Sequence, residues 1–145
     1  MTTVSQVMTR GVRALSPSAT LVAAAQAMDE LNVGVIPVCE GELLVGMVTD
    51  RDIVVRGVAQ EMDPRTATLA EVMSTHVRTV GEDEDIEDVL ATMAENQIRR
   101  LPVVDAKDRL IGILSLGDIA AKEPGSDADV AVSLAEISSP AEPDR

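Results

Sequence analysis

The chain contains no phenylalanine, tyrosine or tryptophan, and only one cysteine and one histidine. Without aromatic rings it lacks the stacking platform that single-stranded nucleic acid uses, and a bound nucleobase would have to lie between aliphatic side chains and backbone. The lone Cys39 excludes an internal disulfide framework and fits a reducing compartment; in its apolar run it reads as a small buried hydrophobe in a strand. Positive charge is also scarce: Lys and Arg number 12 against 25 Asp and Glu, a net charge of −13. The basic face needed for sequence-independent nucleic-acid binding is therefore missing. No apolar run is long enough to cross a bilayer, and Met1–Ser5 does not read as a signal peptide. These shortages give the expectation of a cytoplasmic protein with neither nucleic acid nor membrane as partner. Nor does the sequence offer a nucleophile–base pair, a P-loop or a cluster of metal ligands, so no enzymatic activity is expected. His76 has no Cys or His nearby and is expected on an exposed loop.

What the chain does have, it has twice. Leu43–Leu44–Val45–Gly46–Met47–Val48–Thr49–Asp50–Arg51–Asp52–Ile53 returns as Leu110–Ile111–Gly112–Ile113–Leu114–Ser115–Leu116–Gly117–Asp118–Ile119. Each copy is an apolar run of strand length, then Ser/Thr–x–x–Asp, then an apolar residue at the start of a helix. Val7–Met8 is answered by Val72–Met73, and Val12–Arg13–Ala14–Leu15 by Val77–Arg78–Thr79–Val80. Gly34–Val35–Ile36–Pro37–Val38–Cys39 is answered by Arg99–Arg100–Leu101–Pro102–Val103–Val104. Pro37 and Pro102 lie 65 apart and Thr49 and Ser115 lie 66 apart. The extra residue falls in the turn at Asp105–Asp108, where an insertion is cheapest. Internal duplication is the dominant signal of the sequence.

Within the first copy, Leu21, Ala24, Ala25, Met28 and Leu31 recur at helical spacing, with Ser18 or Thr20 as cap and Asn32 as terminator. Val33–Cys39 reads as a strand in which Pro37 marks an edge or a bulge. The polar turn Glu40–Gly41–Glu42 predicts antiparallel pairing with Leu43–Val48. A helix from Asp50 to about Arg56 should end at Gly57, and Asp63–Pro64 marks a turn in the connector Gly57–Ala67. In the second copy Ile86, Val89, Leu90, Met93 and Gln97–Ile98 form the helical stripe. The division expected is a first repeat over 1–62, a second over 63–122, and an acidic tail over 123–145 that is partly disordered. A half of roughly 60 residues buries little surface alone, so the halves should pack face to face. A pseudo-twofold arrangement would set the two Ser/Thr–x–x–Asp corners in equivalent clefts.

Two readings of those corners stay open. A hydroxyl at the N-cap with an acid three residues on is a capping box, which only satisfies orphan backbone N–H groups. The same arrangement at a strand-to-helix junction can also receive an anionic ligand: the hydroxyl suits a phosphate oxygen, while the carboxylate suits the vicinal hydroxyls of a sugar. In the second copy Gly117 lets backbone approach a ligand closely. Arg99–Arg100 supplies positive charge at a point where the first copy has Gly34–Val35, so the two corners are unequal. The acidic run Glu82–Asp88 admits a metal reading, but it lacks fixed ligand spacing and fits acids gathered at a helix N-terminus better.

Taken together, the Val–Met starts, Val35–Ile36–Pro37–Val38, Arg100–Leu101–Pro102–Val103 and the two Ser/Thr–x–x–Asp–Ile segments resemble the CBS-domain family. The resemblance is to its tandem arrangement, the CBS pair or Bateman module, and spans about Val4 to Lys122. It implies an α/β fold of the α+β kind, two βαββα units in a pseudo-twofold pair, with homodimers forming a flat disc. It further implies a non-catalytic regulatory module with adenosine-type ligands (AMP, ADP, ATP or S-adenosylmethionine) in its clefts and no required cofactor. On that resemblance Asp118 would hold a ribose, Ser115 and Arg100 a phosphate, and Val33 and Gly34 would border the adenine. The quasi-symmetric site would use Asp52 for ribose and Thr49 for phosphate, with Ile98 and Arg99 beside the base, and Thr68. The output would pass through an effector protein that the sequence does not name. The alternative is a structural or interaction dimer with empty clefts that acts by binding a partner protein.

Overall fold

The computed structural model describes residues 2–122; the tail expected at 123–145 lies outside them. The elements run α1 (Val4–Val7), α2 (Leu21–Leu31), β1 (Val35–Glu40), β2 (Leu43–Thr49), α3 (Asp50–Asp52), β3 (Val80–Gly81), α4 (Ile86–Glu95), β4 (Arg100–Val104), β5 (Leu110–Ser115) and α5 (Leu116–Lys122). A 3-10 turn at Leu69–Glu71 sits in the connector.

The chain packs as two compact units. Among the described residues, one gathers 2–12, Arg78–Ala106 and 111–122; the other gathers Arg13–Val77 with Lys107–Leu110. These units are a different division of the chain from the sequence repeat. Each repeat's lead-in, with its Val–Met pair, belongs to the unit built on the other repeat.

In the Arg13–Val77 unit, Thr20 caps α2 by accepting the Ala23 amide at 3.1 Å, and Asn32 ends it in the left-handed conformation (φ 55°). The buried stripe is Leu21, Ala24, Ala27 and Met28. Ala25 is exposed and Leu31 is 43% exposed, so the expected stripe is corrected at two positions. The buried positions run from Leu21 to Met28, about two turns, and the last turn projects past the core.

β1 and β2 pair antiparallel around Gly41 (φ 62°), with the register slipping between Val38 and Cys39 so that Val38 faces Gly46 and Cys39 faces Leu44. Leu15 donates to the Pro37 carbonyl and accepts from Cys39 on the other edge of β1. By strand alternation the missing N–H of Pro37 therefore faces the Leu15 edge and costs the β1–β2 ladder nothing. Cys39 is buried, and burial pushes its thiol up.

The helix expected to end at Gly57 runs further. After Asp52 it widens into a π-turn over Ile53–Gly57 and tightens into a 3-10 turn over Val58–Gln60, ending at Glu61 (φ 59°). A Cβ on Gly57 would stand 2.7 Å from Leu21 Cδ1, so glycine lets this helix close against α2 instead of stopping it.

The other unit repeats the plan. α4 buries Ile86, Val89, Leu90 and Met93 as its spacing predicts but ends at Glu95, short of the expected Gln97–Ile98, and Gln97 (φ 55°) takes the place of Asn32. β3 runs parallel to β4, with Val80 opposite Val103, as Leu15 lies opposite Val38. β4 is also bonded to β5. The acidic run has a structural task. Val4 and Ser5 donate to the carbonyls of Glu84 and Glu82, and Asp85 caps α4 by accepting the Glu87 amide at 3.0 Å. Val4 and Val7 of α1 join the core of this unit with Leu101, Leu114 and Ile119.

Candidate functional site

At both corners a strand hands directly over to a helix, and the handover is a closed capping box. At the β2–α3 corner Thr49 Oγ1 accepts the Asp52 amide at 3.0 Å, and Asp52 Oδ2 accepts the Thr49 amide at 3.0 Å. At the β5–α5 corner Ser115 Oγ accepts the Asp118 amide at 3.0 Å, and Asp118 Oδ2 accepts the Ser115 amide at 3.2 Å. The capping arrangement is thus present at both. It engages two amides and one carboxylate oxygen at each corner, while each hydroxyl keeps its own proton to donate. Phosphate could be met by the hydroxyl, but not by the N–H groups that the box already uses.

The second carboxylate oxygen separates the two corners. Asp118 Oδ1 accepts the Thr9 hydroxyl at 3.1 Å. Thr9 is fixed by a reciprocal backbone pair with Ile113, at 2.9 and 3.0 Å. Ser74 occupies the matching place in the other unit, paired with Met47 at 2.9 and 3.0 Å. There, however, Asp52 Oδ1 faces Arg56 Nε at 3.9 Å, with the Asp52 side chain only 14% exposed. Arg56 also donates to the carbonyls of Val72 and Met73, at 3.4 and 3.5 Å. The lead-in backbones come this close because of glycine. A Cβ on Gly46 would stand 2.7 Å from the Ser74 carbonyl oxygen, and one on Gly112 would stand 2.7 Å from that of Thr9.

Of the residues singled out in sequence, Ile98, Arg99, Arg100, Ser115 and Asp118 belong to one unit, and Val33, Gly34, Thr49, Asp52 and Thr68 to the other. The Arg99 carbonyl accepts the Leu116 amide at 3.1 Å, which sets the start of β4 beside the Ser115 corner. The Gly34 carbonyl accepts the Asp50 amide at 3.0 Å in the same way. Arg99 and Arg100 are both exposed. At position 34 a Cβ would lie 3.1 Å from Asp50 Oδ2, so the Asp50 side chain would have to give by a few tenths of an ångström to admit one. The Ser115 unit thus has two exposed arginines at the start of β4, where the other unit has Gly34 and Val35 with the Asp50 carboxylate beside Gly34. Val33 and Ile98 are partly buried and pack against their own unit's core. Thr68 donates its amide to Glu71 at 2.7 Å and lies opposite Thr20 at the start of α2.

Thr9 and Arg56 are the two side chains on these carboxylates that sequence reasoning missed. A signal for Thr9 existed, because a hydroxyl follows Val–Met in both repeats, as Thr9 and as Ser74. A separate depression of about 550 Å³ opens at the ends of β3 and β4, lined by Glu82, Asp83, Glu84 and Asp105 among others. Four carboxylates make it unsuited to an anion. Among the described residues no group of three or more His, Cys, Asp or Glu is disposed to hold a metal ion. No helix among them is long and apolar enough to cross a membrane.

Comparison with known proteins supplies the context. The CBS domain model matches residues 4–57 and again residues 69–125. Hypoxic response protein 1 of Mycobacterium tuberculosis is 42% identical over 125 residues, covering 86% of this chain and 87% of its own length. The CBS domain-containing protein YhcV of Bacillus subtilis is 43% identical over 128 residues, covering 88% of this chain and 90% of its own. Among solved structures, Hypoxic Response Protein I with two coordinated zinc ions superposes with a TM-score of 0.75, covering 83% of this chain and 98% of its own at 42% identity. CBSX2 in complex with AMP is 28% identical with a TM-score of 0.73, covering 83% and 95%. The CBS domain pair of protein MJ0100, in complex with 5′-methylthioadenosine and S-adenosyl-L-methionine, is 29% identical with a TM-score of 0.71, covering 83% and 94%.

Proposed function

The chain belongs to the CBS-domain family as a tandem pair, and on that premise we propose that it is a non-catalytic sensor module for adenosine-type ligands. One observation carries the reading. The Ser115–Asp118 corner offers a hydroxyl with a proton to donate and a carboxylate with lone pairs to spare, in the same unit as the exposed Arg100. That set matches a phosphorylated ribose: Ser115 and Arg100 meet the phosphate, and Asp118 accepts from the sugar hydroxyls. Structures of two relatives with AMP, and with 5′-methylthioadenosine and S-adenosylmethionine, support the ligand class. The Thr49–Asp52 corner is the weaker anion site. Its unit has Val35 in place of Arg100 and a second carboxylate, Asp50, beside Gly34.

Binding would stiffen the unit or shift its population, and a partner protein would read the change from what is proposed to be a homodimer. A second reading has its own support. Both capping boxes are satisfied by the protein alone, as in a structural or interaction protein that acts through a partner without any ligand.

Calorimetric titration with AMP and with 5′-methylthioadenosine separates the two. Arg100→Ala should weaken AMP about tenfold or more, the scale of a lost charge-assisted contact, and leave the phosphate-free 5′-methylthioadenosine unchanged. Absence of heat with either compound, and with ATP and S-adenosylmethionine, establishes the second reading.

A further inference from the structure

We propose that Thr9 is a positioning residue for Asp118, and that its hydroxyl makes the Ser115–Asp118 corner the one that takes a vicinal diol. This rests on the sensor reading above. A carboxylate has about four lone-pair positions. At Asp118 the Ser115 amide takes one on Oδ2 and the Thr9 hydroxyl takes one on Oδ1. Donors on both oxygens hold the carboxylate plane, and each of the two adjacent oxygens keeps a lone pair with which to accept from a ligand. Two adjacent sugar hydroxyls require that pattern.

The hold on Thr9 comes from the fold. Its backbone is paired with Ile113 in both directions, and Gly112 permits the close approach that brings the strands together. At Asp52 the arrangement differs. One oxygen is held by the Thr49 amide, and the other faces a guanidinium at 3.9 Å. A neighbouring cation draws on the lone pairs without fixing the plane through a hydroxyl donor.

The test uses the intact chain and two nucleotides that differ by one hydroxyl, AMP and 2′-deoxyadenosine monophosphate. Thr9→Val keeps the shape of the side chain and removes its donor; Thr9→Ser restores the donor. Thr9→Val should weaken AMP about tenfold, as loss of one hydrogen bond to a charged group implies, with little change for the deoxynucleotide. Thr9→Ser should recover the preference for AMP, and all three proteins should melt within about a degree of each other because Thr9 is exposed. Equal AMP affinity in the parent and Thr9→Val overturns the role of Thr9 and leaves the sensor reading intact. So does a matching loss for both nucleotides. A parent that binds neither nucleotide overturns Thr9's role, and if it also fails to bind ATP, 5′-methylthioadenosine and S-adenosylmethionine the sensor reading falls with it.

Discussion

Asp118 accepts the Ser115 amide on one carboxylate oxygen and the Thr9 hydroxyl on the other, so its removal disturbs the fold as well as any ligand. On the sensor reading, Asp118→Ala should lose ligand binding. With the capping box seen, the substitution should also cost about 1–2 kcal/mol, the usual price of a lost cap, measured as a drop in the melting temperature. Arg100 is the better probe because its side chain is exposed. Glycine is equally specific at this scale. A Cβ at Gly112 would meet the Thr9 carbonyl at 2.7 Å and Met8 Sδ at 3.0 Å, and backbone cannot give way as a side chain can. Gly112→Ala should destabilise by about 1–3 kcal/mol, as overpacking does, in a denaturant titration. Gly117→Ala, with its nearest neighbour at 3.7 Å, should leave the midpoint where it is.

The informative element is the lead-in segment. Val4, Val7 and Met8 are 0%, 1% and 5% exposed in the core of the unit built on the second repeat. At about 1.5–3 kcal/mol for each buried apolar side chain, their contribution approaches the whole stability of a small domain. A chain lacking residues 1–9 should therefore lose cooperative melting of that unit, and limited proteolysis should cut first within 78–122. Protection of that region in the truncated chain would show that the segment is dispensable. The helices teach a narrower lesson. The α4 stripe follows from spacing, whereas the helix after Asp52 passes through π and 3-10 turns and runs on past Gly57, which packs against Leu21.

On the scale of the whole molecule, charge is the property that acts everywhere. A chain with a net charge of −13 repels itself when folded, and salt screens that repulsion within a Debye length of about 10 Å at 0.1 M. Raising sodium chloride from about 10 mM to about 300 mM should raise the melting temperature, read by calorimetry. A fall would mean that attractive pairs such as Arg13–Glu30, at 3.0 Å, outweigh the general repulsion.

The duplication, the capping boxes, the turn at Gly41 and the α4 stripe were all legible in the sequence, because each is a relation between residues a few positions apart. The paired corners and their unequal charge were legible too, since they require only that two similar segments be set side by side. Tertiary structure decided the rest. It exchanged the lead-in segments between units, exposed Leu31 and buried Ala27, and brought Thr9 to a carboxylate 109 residues away. Contacts of that kind depend on how closely two backbones approach, and here the approach is set by a missing Cβ at Gly46 and Gly112. No local period records such a distance.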